Sequence, residues 1–151
     1  MQTSPAVPGR TTGAAASFTA ADVVDLRLAY AILRMTTGMN MLMHGAVRIM
    51  GGVGGFAAGM VKNFAGTPLP DWFVRSFGLT LPFVELTLGA PLLLGIATRQ
   101  VLVVLGVLMT ILVFGTSLRG DWTAVGLQMT YALIFYVLLA RRGDDAYRLG
   151  R

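Results

Sequence analysis

"LRMTTGMNMLMHGAVRIMGG", residues 33–52, decides the fold. The run is apolar enough for a helix in a membrane, yet it carries Arg34, Asn40, His44 and Arg48 before it breaks on glycines. At 100° per residue Arg27, Arg34, Thr37, Asn40, His44 and Arg48 fall within one broad stripe, while Leu28, Ala31, Ile32, Leu42 and Ile49 sit mostly elsewhere. A polar stripe on a spanning helix faces protein or water rather than lipid, so other helices must receive it.

Those helices follow downstream. Leu79–Thr98, Val101–Leu118 and Thr123–Ala140 each hold one charge or none, and a helix needs about 20 residues to cross a bilayer. With 55% apolar and only 13% charged residues, and a mean hydropathy of +0.70, the chain reads as an integral membrane protein. The net charge of +5 does not point to nucleic acid: the basic residues are scattered singly and cluster only as Arg141, Arg142, Arg148 and Arg151, a topology signal. No cysteine is present, which removes disulfides, thiolate nucleophiles and Cys-ligated metal centres. One histidine and one carboxylate within the spans make too small a ligand set for a metal. "GVGGFA", 52–57, fits a loose dinucleotide pattern but follows a helix instead of a strand, so it is read as a flexible loop with no nucleotide. The nine methionines read as soft packing.

Residues 1–20, Ala/Thr/Ser/Pro-rich and without a secretory h-region, read as a disordered N-terminal tail. The first helix is expected over about Asp22–Met50, with Thr19 or Asp22 as its N-cap and the glycines at 51, 52, 54 and 55 as its stop. Phe56, Ala57, Met60, Val61 and Phe64 recur at helical spacing and predict a short amphipathic helix, followed by the "TPLPDW" turn. Further spans are expected at about Phe73–Ala97, Gln100–Ser117 and Trp122–Ala140, joined by short connections. The predicted fold is all-α: an integral membrane four-helix bundle over 21–142, the amphipathic helix lying in its first extracytoplasmic loop, with a polar C-terminal tail at 143–151. The basic residues favour both termini inside, with Arg10, Arg99, Arg141, Arg142, Arg148 and Arg151 against Arg48, Lys62, Arg75 and Arg119.

A charge at the centre of a spanning helix costs about 2.5 to 3.5 kcal/mol on insertion scales, so Arg34 and Glu85 need partners. Counted from the outer interface, with His44 near one helix end and Trp72 near the next, Arg34 lies about 15 Å deep and Glu85 roughly 15 to 18 Å, near enough in depth that an Arg34–Glu85 ion pair would lower the cost of both. Two readings of the polar set stand side by side: helix register alone, or a functional site. Asn40 and Gln128 by themselves read as interhelical hydrogen-bonding groups. His44, between Asn40 and Arg48, suits proton transfer or plain solvation at the interface.

The order of these features resembles the DoxX family of small four-helix membrane proteins, which includes the DoxD-like subunit of thiosulfate:quinone oxidoreductase. Three stretches carry the resemblance: residues 33–52, "FAAGMVKNFAGTPLP" (56–70) and "LPFVELTLGAPLLLGIATR" (81–99). Their landmarks are Arg34, then His44-Gly45, then Arg48, and later Glu85, Gly89 and the Leu-Gly-x-x-Thr-Arg ending at Gly95, Thr98 and Arg99. The basic position after His-Gly is usually lysine in that family and is Arg48 here, which suits anion binding better than release of a proton.

The resemblance implies a subunit of a bacterial inner-membrane redox system, a quinone-linked oxidoreductase with a link to oxidation of sulfur compounds. On that reading an outer-half polar pocket holds a quinone, with His44 and Glu85 handling protons as catalytic groups and Arg34, Asn40, Arg48 and Gln128 binding it. Lipid surrounds it, and a partner subunit or a second copy is expected beside it. The alternative is a noncatalytic membrane anchor that docks a partner oxidoreductase through the 51–71 loop.

Overall fold

Thr19 opens the first helix. Its hydroxyl accepts from the Asp22 backbone N–H at 3.2 Å and the Asp22 carboxylate accepts from the Thr19 N–H at 2.8 Å, a capping box that starts α1 (Ala20–Met50). The bonds that the Asp22 carboxylate accepts from Thr19, first from its backbone N–H and then from its hydroxyl at 2.7 Å, hold that carboxyl below its ordinary range. The computed structural model describes residues 19–149; most of the tail expected at 1–20 lies outside them, and Thr19 and Ala20 belong to the helix start. Among the described residues the chain is all-helical, with α2 (Val53–Asn63), α3 (Asp71–Leu94), α4 (Thr98–Leu118) and α5 (Trp122–Ala140), a 3-10 turn at Arg142–Asp144, and no strand.

Gly51 ends α1, and Gly52, at φ 93°, turns the chain in a conformation that side chains resist. The reading of 52–57 as a flexible loop is corrected here: Gly54 and Gly55 lie inside α2. Each helical glycine costs about 1 kcal/mol relative to alanine, and α2 is held by tertiary packing instead, its Ala57 fully buried against Gly78 of α3.

The closest helix pair is α1 with α3, and glycine makes it so. A Cβ on Gly38 would lie 2.6 Å from the Leu93 Cα, one on Gly89 2.7 Å from the Leu42 Cα, and one on Gly45 2.6 Å from the Leu86 nitrogen. Small residues at such crossings let two backbones approach closely, as membrane helices require. The contacts also fix an antiparallel register in which residue 34 faces about residue 97 and Glu85 faces about residue 46.

That register overturns the expected Arg34–Glu85 pair, because the two side chains lie about 18 Å apart along the axis. The depth count failed because α1 stops at Met50, opposite about residue 81, whereas α3 runs roughly nine residues further, to Trp72, alongside α2. The level of His44 is therefore well below that of Trp72.

Three helices, α3, α4 and α5, are long and apolar enough to cross a membrane. Helix α1, with 31 residues, has the length, but Arg34, Asn40 and His44 dilute its hydropathy. The four expected spans are thus matched in composition by three. Trp72 and Trp122, each 70% exposed, begin α3 and α5 at the end of the molecule where α2 lies, as interfacial aromatics do. The core is built by Leu92, Leu102, Leu105 and Leu138, with Tyr30 and Met41 of α1 against them.

Candidate ligand-binding cleft

Glu85 is a buried carboxylate in the middle of α3, and the residue that the register brings to it is Arg48. The two form an ion pair through Arg48 Nη1 and Glu85 Oε2. On its other side Arg48 Nη2 lies 3.4 Å from His44 Nδ1. A guanidinium only donates, so Nδ1 accepts, and a neutral His44 carries its proton on Nε2. The Arg48 guanidinium also lies over the Phe56 ring, 4.7 Å from its centroid, a cation–π arrangement. His44, Arg48 and Glu85 therefore form one polar line from the exposed flank of α1 to the interior of α3.

Arg48 stands at the wall of a cavity of about 330 Å³ between α2, α3 and α4. Five of the eight phenylalanines of the chain line it: Phe56, Phe64, Phe73, Phe77 and Phe114. A second cation closes the far side. Arg119, in the turn after α4, lies over Phe64 at 5.1 Å and donates to Asp121 Oδ2 at 3.0 Å. Asp121 also caps α5 by accepting from the Ala124 N–H at 3.1 Å, which fixes the turn that presents Arg119. Thr116 lines the cavity, and its hydroxyl donates to Gln128 Oε1 at 2.6 Å.

The expected site residues divide between places. Arg48 lines the cleft; Glu85 and His44 reach it through Arg48; Gln128 reaches it through Thr116. Asn40 donates to the Tyr131 hydroxyl at 2.9 Å, joining α1 to α5, and borders an open groove with Met35, Met39 and Met43. Arg34 is at the opposite end of the molecule.

There Arg34, 1% exposed, donates to the carbonyls of Leu92 (2.7 Å), Leu93 (2.8 Å) and Tyr147 (2.5 Å), and its Nε lies 3.3 Å from Asp145 Oδ1. Thr98 donates to the other Asp145 oxygen at 2.9 Å, and the Leu149 N–H bonds the Leu94 carbonyl at 3.0 Å. Arg34 thus caps the free carbonyls at the end of α3 and binds the segment that follows α5. Gly95, at φ 73°, makes room: a Cβ there would lie 2.9 Å from Arg34 Nη1. The segment read as a polar tail, 143–151, contributes a side chain with no exposed surface, Asp145.

Sequence reasoning passed over Asp145, Thr116, Arg119 and the phenylalanine lining. Asp145 had a usable signal: the chain holds seven acidic residues, so a buried arginine has few partners to choose from. Arg119 had none, since its position depends on the turn between α4 and α5. No protein-family model, no curated protein and no solved structure matches the chain.

Proposed function

We propose that this chain is a DoxX-like, multi-pass protein of the bacterial inner membrane, a four-helix membrane bundle with both termini inside, and that it serves as the quinone-binding subunit of a membrane redox system. The fourth span lies within α1, which at about 46 Å is longer than a bilayer core and leaves its first turns, with Asp22, outside; its Arg34 and Thr37 are buried against neighbouring helices. The observation that carries the functional reading is the place of Arg48, which is bonded to Glu85, within reach of His44, and set in the wall of an aromatic cavity. A flat, apolar ring with polar oxygens fits such a wall: phenylalanines pack its faces and a guanidinium meets an oxygen.

A bound quinone supplies the acceptance of two electrons and two protons from an external donor such as a reduced sulfur compound. The residues of the chain do the rest. Arg48 donates hydrogen bonds toward the cleft and favours negative charge there. Glu85 holds the guanidinium in place from behind. His44, exposed beside Arg48, passes protons between the cleft mouth and its surroundings. Arg34 and Asn40 hold helices in register, and Gln128 orients the Thr116 hydroxyl.

The test is extraction and mass analysis of quinone from gently purified wild-type protein beside Arg48→Gln and Gly115→Leu, the latter placing a side chain on the cleft wall. Near-stoichiometric quinone in the wild type, lost in both folded variants, is the expected result. Quinone absent from every preparation sinks this reading and leaves the noncatalytic anchor for a partner oxidoreductase.

A further inference from the structure

The cleft has an electrostatic asymmetry of which the quinone reading uses only one half, Arg48. Two guanidiniums, those of Arg48 and Arg119, are part of its lining, while the carboxylates paired with them, Glu85 and Asp121, are not. Among the described residues no acidic side chain lines it. An occupant therefore meets apolar surface, the two guanidiniums and the neutral polar groups of Asn63 and Thr116.

Arg119 is the more available of the two. Of its five N–H donors, one meets Asp121, and that carboxylate is itself shared with the α5 N-terminus and 36% exposed, which weakens its hold. The planar fork of an arginine matches a carboxylate in bidentate fashion. Behind it, Phe73, Phe77, Ile111 and Phe114 form an apolar wall with no polar atom of their own side chains. The volume, about 330 Å³, stands at the small end of ligand cavities, which run to roughly 1,000 Å³, and suits one chain with a compact head.

We infer that the cleft binds a long-chain carboxylate, a free fatty acid, with its head on Arg119 and its chain among the phenylalanines. The inference does not rest on the quinone reading. The two ligands fill the same space and compete, so a fatty acid released from nearby lipid would displace the quinone.

The experiment uses the full chain in nanodiscs of neutral phosphatidylcholine and follows energy transfer from its two tryptophans to cis-parinaric acid or to its methyl ester. Saturable transfer to the acid is expected, absent for the ester, weakened at least tenfold in Arg119→Gln and weakened less in Arg119→Lys, which keeps the charge without the fork. Gly115→Leu should remove it, and Arg75→Gln, outside the cleft, should leave it as in the wild type. Equal saturation by acid and ester, or full binding of the acid by folded Arg119→Gln, overturns the inference. Protein that binds the acid but purifies without quinone keeps this inference and removes the quinone reading.

Discussion

Arg34 and Arg48 stand on the same helix and the same polar stripe, and the structure uses them in opposite ways. Arg34 is 1% exposed and surrounded by three backbone carbonyls and a carboxylate from two separate segments. Arg48 keeps 26% of its side chain exposed, has a single carboxylate, rests on a ring and faces a cavity. A buried charge ringed by fixed acceptors is a fastening. One with a cavity before it is placed to meet something else.

The sharpest way to break that contrast is to remove each guanidinium. Arg34→Met leaves Asp145 buried without its partner and uncaps α3, an expected loss of about 3–5 kcal/mol read by denaturant unfolding in micelles. The double variant Arg34→Met/Asp145→Asn should recover part of it, because the orphaned charge is then gone. Arg48→Gln should cost less, because glutamine still offers an amide donor to the Glu85 carboxylate and no helix end is uncapped, while ligand binding falls more than at any other α1 position. Equal destabilisation by the two single variants would erase the distinction.

Between the two ends, Tyr131→Phe deletes the bond from Asn40, and about 0.6 kcal/mol is the usual worth of such a bond in a membrane bundle. Cleft binding should be unaffected. The smallest effect belongs to Asp22, fully exposed at the start of α1. Its folded pKa is depressed, so its contribution is complete above the unfolded value near 3.8 and fades as the pH falls through the folded value. Protection of the first-turn amides, taken against their intrinsic exchange rates at each pH, should therefore fall at acid pH in the wild type and show no such change in Asp22→Asn.

Periodicity and breakers made the helices legible. The expected first helix, short amphipathic helix and last three spans lie close to α1 to α5, since their signals are local: a cap at Thr19, glycine at 51 and prolines at 68 and 70; the stop at Gly95 was passed over, and α3 ends three residues before the expected Ala97. Gly54 and Gly55 misled because tertiary packing on Gly78 outweighed their low propensity. The partners of the charged residues were not legible, because they depend on how far one helix slides along another. That slide is set by close approaches at Gly38, Gly45 and Gly89, which have no counterpart in hydropathy. Once it is known, Arg48 rather than Arg34 meets Glu85. The cleft was still less visible: its wall gathers phenylalanines from α2, α3 and α4, which no window of sequence displays together.

The fastening of Arg34 also sets an order of events during synthesis. Tyr147, whose carbonyl receives one of its hydrogen bonds, lies 113 residues later in the chain. At about 5–20 residues per second, the ribosome needs roughly 6–23 s to reach it after Arg34 has been made. Through that interval Arg34 lacks both the Tyr147 carbonyl and the Asp145 carboxylate that offsets its charge. The end of α1–α3 packing is thus fastened last, when the segment bearing Asp145 arrives to take the charge over.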